Sequence, residues 1–164
     1  MQGRTYKSAR LTANKIEVKA YLDTLFLIER EIAKATPTLL QLGTKEKLLE
    51  FLTGEPESHT WLWTNKNGAN VGYLTLIDKE EHGELEVLAI RVLPGHQNGG
   101  YGKEMMAFAE KIAKKKGRAK VTLVTNTKNT IAIGFYESLG YKVVKEIANY
   151  FGDGENRYLL VKEI

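Results

Sequence analysis

Apolar and polar positions along the chain change their period several times, and each change marks an element. Residues roughly 4 to 10 have strand character. Over residues 16–34 the apolar positions Ile16, Ala20, Leu22, Leu25, Phe26 and Ile32 recur near helical spacing, and Pro37 blocks continuation. A shorter helix over residues 44–52 opens on a threonine cap at Thr44 and ends at Gly54. Trp61-Leu62-Trp63, a turn at residues 65–68 and a second run at 70–77 read as a β-hairpin. A charged turn over 78–83 leads into a strand at 84–92. The helix predicted from Gly100 to Lys116 places Met105, Phe108, Ala109 and Ile112 on one face. A strand at 121–125, a helix at 129–139 closed by Gly140, and strands at 141–144 and 157–161 complete the order β-α-α-β-β-β-α-β-α-β-β. The expectation is an α+β fold with a mixed central sheet of about seven strands and four helices.

Composition narrows the class without naming an activity. Repeats, low-complexity tracts and Pro/Gly/Ser linkers are missing, so residues 1–164 are read as one domain, long enough to bury about 70% of its unfolded surface. No apolar run approaches the roughly 20 residues of a membrane span, and the first residues lack a signal peptide's apolar core, so a cytoplasmic protein without membrane contact is expected. Zero cysteines exclude disulfides, thiolate zinc sites and an acyl-cysteine intermediate. His59, His82 and His96 lack the i, i+4 spacing of a helical metal site, and no metal is expected. The net charge of +4 is concentrated at residues 111–120. Lys114, Lys115 and Lys116 read as the last turn of a helix ended by Gly117, where cations complement the dipole, or as a contact for ligand phosphates or an acidic partner. Aromatics do not interleave with these lysines, so nucleic acid is not an expected partner.

The chemistry is concentrated in V92-L-P-G-H-Q-N-G-G-Y-G-K103, a strand stopped by proline and a glycine-rich turn that opens into a helix. Gly99, Gly100 and Gly102 allow positive φ and close approach of a ligand, and unpaired N–H groups at a helix start favour an anion. A Walker A loop fails, because Tyr101 and Gly102 follow the second glycine of the Gly95/Gly100 pair. A Rossmann fingerprint fails too, since Met105 stands at its third glycine and no βαβ unit precedes it.

What survives is Q-x-x-G-x-G at Gln97, Gly100 and Gly102, followed by N-T-I-A-I-G-F-Y-E-S-L-G-Y at residues 129–141. Together these blocks resemble the acyl-CoA signature and the N-x-x-A-x-x-F-Y-x-x-x-G-F element of the GNAT superfamily of N-acetyltransferases. The likeness is specific from Glu84 to Tyr141 and rests on element order alone before Trp61. It implies the GNAT (acyl-CoA N-acyltransferase) fold, acetyl-CoA as co-substrate, and direct transfer to a primary amine in a ternary complex. A non-catalytic CoA-binding regulatory module is the alternative, and a homodimer stays open.

Carried over residue by residue, the resemblance implies that the backbone of Ile90, Arg91 and Val92 meets the pantetheine arm. Gln97, Asn98, Gly99, Gly100, Tyr101, Gly102 and Lys103 would hold the diphosphate, and Asn129 would cap its helix and meet the cofactor arm. Glu86 is the candidate base, with Glu84 or a water chain as the open alternatives. Tyr136 is the candidate hydroxyl at the leaving sulfur. Gln97 stands where an arginine is commoner, which removes one charge from the phosphate site. A glutamate near pKa 4.3 is mismatched to a lysine-type amine near 10.4 by about 6 units, but to an α-amine near 7.8 by only about 3.5. The segment N149-Y-F-G-D-G-E-N-R-Y158 is similar to the Y-Y-x-D-G-E stretch of N-terminal protein acetyltransferases, with Phe151 for the second tyrosine. Val124 stands where the alanine-type enzymes carry a glutamate, so a protein N-terminal α-amine and a small-molecule amine both remain as acceptors.

Overall fold

Alternation of Leu11 and Ala13, both fully buried, with the more accessible Thr12 and Asn14 makes the beginning of the chain a hairpin rather than one strand and a helix. The computed structural model describes residues 5–8, 10–36 and 40–164, so positions 4, 9 and 37 of the expectations above lie outside the described residues. Strand β1 (Thr5–Lys7) pairs antiparallel with β2 (Leu11–Ile16). Ile16 is paired with Thr60 at the end of β2, and the helix begins only at Leu22, after a 3-10 turn at Val18–Tyr21. The helical spacing counted from Ile16 therefore starts too early. Ladder hydrogen bonds to the neighbouring strand fix Ile16 in the sheet, and the sheet gains an eighth strand.

Helices α1 (Leu22–Ala35) and α2 (Lys45–Thr53) lead to β3 (Ser58–Asn65), β4 (Asn70–Lys79) and β5 (Glu84–Val92). Helix α3 (Tyr101–Lys115), β6 (Lys120–Asn126), α4 (Thr130–Ser138), β7 (Lys142–Ile147) and β8 (Arg157–Glu163) follow. The sheet order is β1-β2-β3-β4-β5-β6-β8-β7, and among its pairs only β5 with β6 is parallel. Each face carries its own core. On one, Phe108 of α3 meets Trp61 and Trp63 edge-on at ring distances of 5.3 and 5.4 Å, with Met105, Met106, Tyr136 and Tyr141 around them. On the other, Leu25, Ile28 and Ile32 of α1 and Leu48 and Leu52 of α2 cover Leu62, Tyr73 and Ala89. Aromatic edge-to-face pairs of this kind contribute about 0.5–1.5 kcal/mol beyond their buried area.

The basic segment at the end of α3 is tied into the sheet. Lys114 and Lys115 occupy the last turn, and Gly117 adopts φ 69° beyond it. Arg118 donates to both oxygens of Asp78 at 2.7 and 3.1 Å, Lys116 bonds the same carboxylate at 2.8 Å, and Lys120 pairs with Glu84 at 3.4 Å. The hydrogen bond from Arg118 is the main reason the Asp78 carboxyl is held down to about 2, with Lys116 adding to it against the opposing effect of burial. A depressed carboxylate pKa stabilises the fold above the unfolded value near 3.8 and loses that contribution as pH falls toward 2. Asp78→Asn is expected to cost about 1–2 kcal/mol at pH 7. Urea midpoints of variant and wild type, measured at pH 7 and again between pH 3 and 2, should converge at the acid end.

Candidate active site

The parallel ladder between β5 and β6 runs from Glu84/Lys120 to Val87/Leu123 and stops there. The cause lies on the other edge of β5. In its pairing with β4, Thr75 opposes Ala89 but Leu76 opposes Val87, so Leu88 is an extra residue and β5 is bulged. Beyond the bulge the two strands part, and a cleft of about 200 Å³ opens between them. Leu93 N–H is bonded to Val71 on the β4 side, so strand alternation turns the main-chain groups of Val92 and Ile90 into the cleft. Two side chains already use them: Gln97 Nε2 donates to Val92 O at 3.1 Å, and Arg91 Nη1 to Ile90 O at 3.2 Å.

The glycine-rich turn continues directly from Gln97. Asn98 and Gly100 adopt φ of 62° and 83°, which bends the chain sharply into α3. Helix α2 opens with Thr44 Oγ1 accepting from Lys47 N–H, and α4 opens with Asn129 Oδ1 accepting from Ala132 N–H. At the start of α3, Gly100 makes no such side-chain bond. The amides of the first turn, Tyr101 to Lys103, are the ones a helix leaves without intrahelical partners. Gly102 packs against α4, where an added Cβ would lie 3.2 Å from the Phe135 ring.

Tyr136, on α4, lines the cleft and is 8% exposed. Burial pushes its phenol up to about 12, with the Arg91 charge pulling weakly the other way. It is therefore a hydrogen-bond donor at every physiological pH and a poor proton donor. Arg91 also lines the cleft, but its guanidinium turns away to α1, where Nε meets Glu29 Oε1 at 2.6 Å and the Tyr73 hydroxyl donates to the same oxygen. Burial would lower the guanidinium's pKa; Glu29 and Tyr73 outweigh it and hold it above its ordinary value.

Of the expected residues, Ile90, Arg91, Val92, Gln97, Asn129 and Tyr136 line the cleft together, while Asn98, Gly99, Gly100, Tyr101, Gly102 and Lys103 form the turn beyond it. Glu86 stands apart. It is 8% exposed, forms an ion pair with Lys79, and is not among the residues lining the cleft. Val124 does line it, and among the described residues no Asp or Glu does; the charged side chains among them are Arg91 and Arg157. Among the described residues no group of His, Cys, Asp and Glu is arranged to hold a metal ion, and no helix is long and apolar enough to cross a membrane.

Several lining residues escaped the sequence reading. Ile32 of α1, Phe51 of α2 and Phe151 of the β7–β8 loop form an apolar wall opposite α4, with the Phe51 and Phe151 rings 5.8 Å apart. Arg157 is 3% exposed, bonded to Asp153 at 2.6 Å and stacked over Phe151. Phe151 lay in the noted D-G-E segment. Phe51 and Ile32 carried no signal beyond amphipathic spacing.

Residues 25–141 match the model of the Acetyltransferase (GNAT) family. The chain belongs to that family. An N-alpha-acetyltransferase of Sulfurisphaera tokodaii is 32% identical over 93 residues, 56% of this chain and 53% of that protein. The chain thus spans about half the length of that relative. The crystal structure of Ard1 from Thermoplasma volcanium superposes with a TM-score of 0.75 at 22% identity, covering 94% of this chain and 97% of that one. A GNAT family acetyltransferase from Elizabethkingia anophelis with acetyl-CoA bound gives 0.74 at 19% identity, covering 96% and 100%. The uncapped start of α3, the parted strands and the inward main-chain groups of Ile90 and Val92 fit an extended thioester carrier with a diphosphate at one end. In this GNAT domain the cleft also depends on Gly72, since a Cβ there would lie 1.8 Å from Arg91 O. Gly72→Ala is expected to push β4 from β5 and cost about 1–3 kcal/mol, read as a lower urea midpoint.

Proposed function

We propose that the protein transfers an acetyl group from acetyl-CoA to the α-amine at a polypeptide N-terminus, by direct attack within a ternary complex. The observation that carries the choice of acceptor is the composition of the cleft, which among the described residues is lined by no carboxylate. Near pH 7.4 an amine of pKa about 10.4 needs about 4 kcal/mol to become neutral, and an α-amine of about 7.8 needs about 0.5 kcal/mol. A cleft without a base serves the second and not the first. The N-alpha-acetyltransferase name of the relative described above supports the same acceptor.

Acetyl-CoA, when bound, supplies an activated acetyl thioester. The amides of Tyr101, Gly102 and Lys103 and the turn from Gln97 to Gly100 receive the diphosphate, and Ile90 and Val92 align the arm through their backbone. Asn129 holds the first turn of α4 in place, which sets the position of Tyr136. The Tyr136 hydroxyl donates a hydrogen bond that strengthens as charge develops on the departing sulfur. The amine loses one proton to solvent before it enters. On attack the C–S bond breaks, the second proton of the nitrogen leaves to solvent as the amide forms, and CoA departs as a thiolate that solvent protonates, while Glu86 keeps to its ion pair with Lys79.

Free-thiol release from acetyl-CoA, measured against short peptides, spermidine and an aminoglycoside, tests the reading. Peptides with a free N-terminus should be the best substrates. With a peptide acceptor, kcat/KM should climb with pH through about 8 and stay level to 10, because the amine titrates there while Tyr136 remains protonated. Tyr136→Phe should lower kcat by about ten- to a hundredfold and leave CoA affinity unchanged. Preference for spermidine overturns the acceptor. CoA binding without thiol release from any amine favours the regulatory module instead.

A further inference from the structure

Beyond Lys103, the turn that faces the diphosphate brings no Lys or Arg of its own. Gln97 is neutral, and its amide is spent on Val92 O. Glu104, in the first turn of α3, adds a negative charge that is only 15% exposed. A carboxylate there stabilises the helix end but repels a phosphate beside it. One of its oxygens, Oε1, is buried with no hydrogen-bond partner.

Arg10 answers both deficits from a distant part of the chain. It precedes β2, and its Nη1 donates to Gly99 O at 2.7 Å, across 89 positions of sequence. Its Nη2 meets Glu104 Oε2 at 3.3 Å and lies 3.2 Å from where a Cβ on Gly100 would be. The guanidinium stands 5.2 Å over the Tyr101 ring. It therefore touches three successive residues of the turn and the acid behind it. The side chain is nonetheless 52% exposed, so part of its five-donor fork still faces outward.

We propose that Arg10 is a second cation of the diphosphate site beside Lys103, delivered from the β1–β2 turn instead of from the glycine-rich loop. It cancels Glu104, fixes the carbonyl of Gly99 so that the turn's amides point outward, and offers its remaining N–H groups to the phosphates. The inference rests on the acetyl-CoA reading above.

Calorimetry with CoA, and with pantetheine as the same arm lacking the diphosphate, separates charge from shape. Arg10→Ala should weaken CoA by about tenfold and reduce the steepness with which salt weakens it, leaving pantetheine unaffected. The double variant Arg10→Ala with Gln97→Arg should recover most of the loss, because it returns a cation to the same phosphate. Equal losses for CoA and pantetheine would mean that Arg10 merely shapes the turn, and CoA affinity within twofold of wild type would mean that it does nothing there. Either result overturns the assignment to Arg10 alone. Wild-type protein that binds no CoA overturns the acyl-CoA reading itself.

Discussion

The separation of β5 from β6 is the constraint on which the remaining geometry depends. Two parallel strands that paired along their whole length would seal the sheet and bury every main-chain group in the ladder. Here the extra residue Leu88 bends β5 after Val87, and pairing with β6 ends at the same level. The antiparallel ladder to β4 resumes beyond the bulge, so β5 stays anchored on one edge and opens on the other. A site made this way uses backbone as its recognition surface and needs few special side chains.

The turn after β5 extends this principle. Helices α2 and α4 bond a first-turn amide with Thr44 and Asn129, whereas α3, like α1, has no side-chain cap. A glycine at the cap position costs only about a few tenths of a kcal/mol relative to a capping side chain, and it leaves the first amides open to an anion. The same glycine that gives up capping permits the positive φ and the close approach of Arg10. Local conformational freedom and anion binding are thus two results of one choice of residue.

How much of this was legible in the sequence follows from the range of each interaction. Period and turn chemistry located the hairpin of β3 and β4, the helix after Gly100 and the Asn129 cap, because those signals are local. The glycine-rich turn and the block ending at Tyr141 were legible because each is a short run of residues in a fixed order. Leu88 gave no signal, since a bulge is defined by the register of a neighbouring strand. Arg10 gave none either; its partners Gly99 and Glu104 are about ninety positions away. Ile16 misled because its apolar character suits both a helix face and a strand end, and only pairing with Thr60 decides. Glu86 stands at the expected place on β5, and its ion pair with Lys79 is set by the neighbouring strand, which alternation along β5 does not encode.

The contact of Glu29 with Arg91 and Tyr73 has a mechanical meaning. Glu29 belongs to α1, which also contributes Ile32 to the apolar wall, and Arg91 belongs to the open stretch of β5. A buried charge held by two partners strongly resists separation. The apolar wall and the open stretch of β5 are therefore riveted into one rigid body. Under the proposed acyl transfer, variation in acceptor choice falls to the parts outside that rivet, above all the β7–β8 loop carrying Phe151, which can change without disturbing the strand.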